Sequence, residues 1–130
     1  MILPNRKRIL LVEDYEDLRD LTTLTLTEYT FSCARNFNEG LRLARQGGFD
    51  LYILDNWLPD KSGVELCRAI RAFDPYTPIL FYSAAAYERD IEEAIRAGAQ
   101  DYLVKPVSLD KLRQAVAQLI SAPREPAQLY

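Results

Sequence analysis

"LYILDNWLPDKSG", residues 51–63, runs four apolar residues into an aspartate and then breaks with proline and glycine. A continuous apolar run of this length, rather than an alternating one, belongs to a strand covered on both faces. The carboxylate of Asp55 then stands where that strand leaves its sheet. An acid there can be a plain turn former, so its meaning depends on what the rest of the chain brings to the same place.

Three further runs are of the same kind, "ILLV" (9–12), "ILFY" (79–82) and "YLV" (102–104), with "FSCA" (31–34) as a weaker fifth. The segments between them carry helical spacing: Leu66, Ile70 and Phe73; Ile91, Ala94 and Ile95; Leu109, Leu112, Val116, Leu119 and Ile120. Ser62 with Glu65 spells a capping box, Gly98 suits a left-handed helix end, and Ser108 suits a helix start. The first helix is expected over 15–28, weakened by threonines at 22, 23, 25 and 27. Strand and helix repeated five times predict an α/β fold, a single-domain doubly wound (βα)5 with a five-stranded parallel sheet. The domain is expected to span 1–122, and "SAPREPAQLY", with two prolines, to stop the last helix, leaving 123–130 as a C-terminal tail or the start of a linker.

Composition narrows the function. At 130 residues, 48% apolar and 27% charged, the chain fits one globular domain. Sixteen basic residues face nineteen acidic ones, and "NRKR" (5–8) is the only basic cluster, leading straight into a strand, so direct nucleic-acid binding is not expected. With no histidine, neither a histidine-ligated zinc nor a Ser-His-Asp triad can be built. Cys33 and Cys67 read as small buried hydrophobes. No apolar run approaches about 18 residues and no signal-peptide core opens the chain, so no membrane span is expected and the location reads as cytoplasmic.

In an open parallel sheet, ligands gather outside the carboxyl ends of the strands. The first strand ends in Glu13 and Asp14, the third in Asp55, the fourth in Ser83 and the fifth in Lys105 followed by Pro106. Carboxylates sharing one cleft repel by several kcal/mol for a pair ~4 Å apart at an effective dielectric near 20. A hard divalent cation offsets that, and Mg²⁺ suits a few carboxylates, a carbonyl and waters with positions left for phosphate oxygens. An ionised carboxylate beside it can attack phosphorus, with the ammonium and hydroxyl on the equatorial oxygens.

With "LLVEDYEDLR", "LYILDNWLPDKSG", "ILFYSAAA" and "GAQDYLVKP" in this order and spacing, the chain resembles the CheY-like receiver domain of two-component response regulators over about residues 7–121. The resemblance implies a strand order 2-1-3-4-5 and Asp55 as phospho-acceptor. It implies Mg²⁺ held by Glu13, Asp14, Asp55 and the backbone carbonyl of Trp57. Ser83 would donate to a phosphoryl oxygen, Lys105 would pair with the phosphoryl group, and the Lys105–Pro106 bond would be cis. Ser83 and Tyr102 would form a switch, the Tyr102 ring facing away from Lys105 and turning inward as Ser83 moves. The surface of the fourth helix, fifth strand and fifth helix would change with it. The implied partners are a sensor histidine kinase or phosphotransfer protein, with small phosphodonors as substitutes, and a homodimer through that same surface is compatible. The chain would catalyse only its own phosphorylation and dephosphorylation. A stand-alone receiver and the N-terminal piece of a longer regulator both fit.

Rival readings are weaker. A haloacid-dehalogenase-type phosphatase wants a second aspartate two residues after the nucleophile, where this chain has Trp57. No G-x-x-x-x-G-K-[ST] or G-x-G-x-x-G occurs. A receiver-like module that takes no phosphate would not need all five motif positions. Trp57 itself reads either as a shield over the acyl phosphate or as a partner contact.

Overall fold

The computed structural model describes residues 6–128; Asn5 of the basic cluster and residues 129–130 of the tail lie outside them. Elements alternate along the chain: β1 (Arg8–Val12), α1 (Glu16–Thr25), β2 (Thr30–Ala34), α2 (Phe37–Gln46), β3 (Leu51–Leu54), α3 (Gly63–Arg71), β4 (Ile79–Ser83), α4 (Glu88–Arg96), β5 (Asp101–Val104) and α5 (Leu109–Ser121). All strand pairs are parallel and the sheet order is β2-β1-β3-β4-β5, the doubly wound fold expected. Among the described residues no helix is long and apolar enough to cross a membrane.

Strand alternation divides the core. Leu10, Val12, Tyr52, Leu54, Ile79 and Phe81 pack with Leu66, Cys67, Ile70 and Ala94 under α2, α3 and α4. Ile9, Leu11, Leu51, Ile53, Leu80 and Leu103 pack with Leu112 and Val116 on the α1 and α5 side. The strands with neighbours on both sides, β1, β3 and β4, are buried throughout except for Arg8, whereas the edge strands β2 and β5 are only partly so. That is why four-residue apolar runs appear in the first set, while the edge strands give the shorter "YLV" and the weaker "FSCA".

The capping expectations hold. Ser62 accepts from the Glu65 N–H while Glu65 reaches back to the Ser62 N–H, Ser108 accepts from the Lys111 N–H, and Gly98 follows α4 at φ 111. Three readings need correction. The first helix ends at Thr25 rather than 28, because Leu26 leaves helical geometry to bury its side chain completely before β2 begins. Phe73 does not extend the buried stripe of α3: the helix stops at Arg71 ahead of Pro75, and Phe73 is 43% exposed. Cys33, on an edge strand, is only partly buried, while Cys67 is buried in α3; both are free.

Beyond α5, Ala122 turns extended before Pro123, and the chain returns to residues that precede β3 and β4. Arg124 reaches Thr77 Oγ1 at 3.1 Å and Asp50 Oδ1 at 3.3 Å, and the Ala127 N–H donates to the Pro75 carbonyl at 2.8 Å.

Candidate phosphoacceptor site

The backbone ladder continues one step past the strand ends. Glu13 N–H donates to the Ala34 carbonyl (2.9 Å), Asp55 N–H to Val12 (3.0 Å) and Lys105 N–H to Ser83 (2.9 Å). Glu13, Asp55 and Lys105 are therefore fixed by sheet hydrogen bonds although each lies outside its strand. Glu13, Asp55 and Lys105 share the parity of Leu11, Ile53 and Leu103, so their side chains rise on the α1/α5 side of the rim; Ser83 and Tyr102 have the opposite parity.

Lys105 Nζ lies 2.6 Å from Glu13 Oε1 and 3.2 Å from Asp55 Oδ2, and 5.2 Å above the Tyr82 ring centroid. The Ser83 hydroxyl donates to Asp55 Oδ1 at 2.7 Å, and the Trp57 N–H donates to the same oxygen at 3.1 Å. Asp55 and Glu13 are 7% and 3% exposed and Ser83 is fully buried, whereas Asp14 opens to solvent. The Lys105–Pro106 bond is cis.

Burial pushes the Glu13 carboxyl up to about 7; Asp55's negative charge adds to this, and the hydrogen bond and charge of Lys105 oppose it. Burial alone would lower the Lys105 ammonium, but hydrogen bonds and charge from Glu13 and Asp55 outweigh it and hold the pKa above its ordinary value. One oxygen each from Glu13, Asp14 and Asp55 can lie within 4.8 Å of one another. A trio of hard oxygen donors, two buried and Asp14 open to solvent, with the Glu13 carboxyl resisting ionisation in the absence of a cation, fits a divalent cation such as Mg²⁺.

Tyr102 is half-buried. Its ring stacks on Phe81 with centroids 5.4 Å apart, and its hydroxyl donates to the Ala85 carbonyl at 2.6 Å. The ring already sits inward in the same arrangement that turns Ser83 toward Asp55.

Supporting residues escaped the sequence reading. Asn56 is buried and ties three segments together: its N–H reaches Ser83 Oγ, its carbonyl accepts from Gly63 N–H, and its side-chain oxygen accepts from Val64 N–H. Arg19 holds the Glu13 carbonyl at 2.8 Å. Asp60 accepts from the Phe37 and Asn38 N–H groups at the start of α2. Gly63 carried a signal, since a glycine opening a well-capped helix implies a close backbone approach; Asn56 carried none.

The family model described as response regulator receiver domain matches residues 9–117. The response regulator protein PilR of Pseudomonas aeruginosa is 37% identical over 115 residues, covering 87% of this chain and 26% of the relative. A probable transcriptional regulatory protein of Picosynechococcus is 40% identical over 119 residues, covering 85% and 47%. The chain thus spans about a quarter to a half of the length of these curated relatives. Among solved structures, a CheY-like receiver domain protein from Methanospirillum hungatei superposes with TM-score 0.86 at 28% identity, covering 89% of this chain and 94% of that one. The receiver domain of the sensor histidine kinase PA1611 from Pseudomonas aeruginosa, with magnesium coordinated in its active-site cleft, gives 0.83 at 28% identity over 90% and 99%. The chain belongs to the response regulator receiver domain family, whose members work as phosphorylation-driven switches in two-component signalling.

Proposed function

We propose that Asp55 accepts a phosphoryl group from a sensor histidine kinase, a phosphotransfer protein or a small donor such as acetyl phosphate. A carboxylate oxygen of Asp55 forms the new bond to phosphorus while the bond to the donor's leaving atom breaks. Mg²⁺ held by Glu13, Asp14, Asp55 and the Trp57 backbone carbonyl would neutralise phosphoryl oxygens. Lys105 and the Ser83 hydroxyl supply the ammonium and hydrogen bond for the remaining charge. The observation that carries this reading is the Asp55 carboxylate lying between Ser83 Oγ at 2.7 Å and Lys105 Nζ at 3.2 Å. Donors already aimed at that carboxylate need little rearrangement to meet a phosphoryl group on it.

Ser83 and Tyr102 then bias the α4–β5–α5 surface between two states, which controls a partner, a second copy of this chain or an attached output module. Residues 1–122 act as the switch and 123–130 as its tail or linker, with no direct contact to nucleic acid. Incubation with acetyl phosphate and Mg²⁺ tests the reading: intact-mass analysis should find one added phosphoryl group, and Asp55→Asn should find none. Full labelling of that variant at another single site would defeat it.

A further inference from the structure

The segment after α5 is seated rather than trailing. Besides its bonds to Thr77, Asp50 and Pro75, it forms one side of an open pocket of about 290 Å³ lined on the other by Ile95, Gly98, Gln100 and Leu119. Gly98 and Gln100 belong to the connection from α4 to β5, Ile95 to the end of α4 and Leu119 to α5. From inside the domain the same connection is held by buried Arg71, which donates to the Gly98 carbonyl at 2.7 Å and 3.1 Å, to Gln100 Oε1 at 3.0 Å and to the Thr77 carbonyl at 2.7 Å. Thr77 thus receives Arg71 on its carbonyl and Arg124 on its hydroxyl.

At the other end of α4 stands the loop that follows Ser83. Its Ala85 N–H donates to Ser83 Oγ and its Ala85 carbonyl accepts from Tyr102. A nine-residue helix is a rod of about 13 Å. One end of α4 adjoins the loop that presents Ser83 to Asp55, and the other is linked through Arg71 to Thr77, the residue that Arg124 also reaches.

We propose that this segment is a docking strap coupled through α4 to the phosphoacceptor rim, so that strap docking and phosphoryl occupancy of Asp55 favour each other. The seated segment, Ser83 on Asp55 and Tyr102 on Ala85 occur together, and a phosphoryl group on Asp55 would hold Ser83 in that same orientation; the direction is part of the proposal. The inference rests on the phosphoacceptor reading above. Linkage makes it reciprocal, because whatever factor the phosphoryl group adds to docking, docking adds to the affinity of the site.

The test uses the full chain with Mg²⁺ and beryllofluoride as the phosphoryl mimic. Hydrogen exchange at the Ala127 amide should slow at least about fivefold when the mimic binds, the low end of ordinary coupling. Arg124→Ala should speed that exchange in the absence of the mimic. It should also raise the beryllofluoride concentration for half-saturation, followed by Trp57 fluorescence, by up to the factor measured in the exchange experiment. Saturable binding with unchanged Ala127 exchange and unchanged half-saturation in Arg124→Ala overturns the coupling alone. Unchanged exchange in Arg124→Ala without the mimic overturns the docking. No beryllofluoride binding at all overturns the phosphoacceptor reading and the coupling with it.

Discussion

Gly63→Ala is the substitution for which the geometry makes the sharpest demand. A Cβ at Gly63 would lie 2.3 Å from the Asp55 carbonyl oxygen, 2.9 Å from Asn56 Cα and 3.0 Å from the Asp55 carbonyl carbon. Since real Cβ atoms essentially never approach closer than 3.0 Å, backbone must move by at least about 0.7 Å, and no flexible side chain is available to absorb the motion. The Gly63 N–H bond to the Asn56 carbonyl, 2.9 Å long, is the contact that would stretch. Overpacking costs about 1–3 kcal/mol and the hydrogen bond about 1 kcal/mol, against up to about 1 kcal/mol gained from alanine in a helix. The net expectation is about 2 kcal/mol of lost stability, a urea midpoint lower by roughly 1 M. Because the moving atoms belong to Asp55 itself, acetyl phosphate labelling should fall by up to about a hundredfold. Gly40→Ala is the control: the nearest atoms to its Cβ would be side-chain carbons of Val12 and Leu66, at 3.0 to 3.3 Å, so a mild overpacking cost of about 1 kcal/mol is offset by up to about 1 kcal/mol from alanine in a helix, and stability and labelling should change little. A Gly63→Ala protein with native midpoint and native labelling rate would refute the argument.

Three other outcomes are expected. With the Glu13 carboxyl at about 7, protons compete with Mg²⁺ below that pH; Mg²⁺ affinity measured by Trp57 fluorescence should climb steeply from pH 5 to about 7 and level off above it, whereas a flat profile would contradict the raised value. Arg71→Met strips a buried guanidinium from the carbonyls of Gly98, Thr77 and Asp74, and chemical denaturation should register a loss of about 3–4 kcal/mol; under 1 kcal/mol would show that water replaces it. Trp57, 60% exposed beside the acceptor, should protect the acyl phosphate, so Trp57→Ala should lose phosphate severalfold faster, and equal rates would assign the ring to partner contact instead.

The sequence made the rim legible because each strong strand ends in a polar residue, and the ladder bonds of Glu13, Asp55 and Lys105 turn that position into proximity. Period-two alternation placed Tyr102 opposite Lys105 for the same reason. The strand order came from the family resemblance, since apolar runs do not say which strands are neighbours. What stayed hidden depends on contacts distant in sequence. Arg71 sits one turn after Cys67 on the buried side of α3, but an arginine is assigned to water until Thr77 and Gly98 are known to converge on it. Asn56 looks like any turn residue until Ser83 and Val64 are brought to it. The prolines of "SAPREPAQLY" announced the end of α5 correctly, yet its return to Asp50 and Thr77 is a tertiary contact spanning 74 and 47 residues.

The central claim is most directly tested by finding which atom carries the phosphoryl group. Borohydride reduces an aspartyl phosphate to homoserine, so phosphorylated protein treated with borohydride, digested and sequenced by mass spectrometry reports the acceptor by its side chain. Homoserine at position 55 and nowhere else is the predicted result. An intact Asp55 in fully phosphorylated protein, or homoserine at Asp14 or another aspartate, would contradict the account.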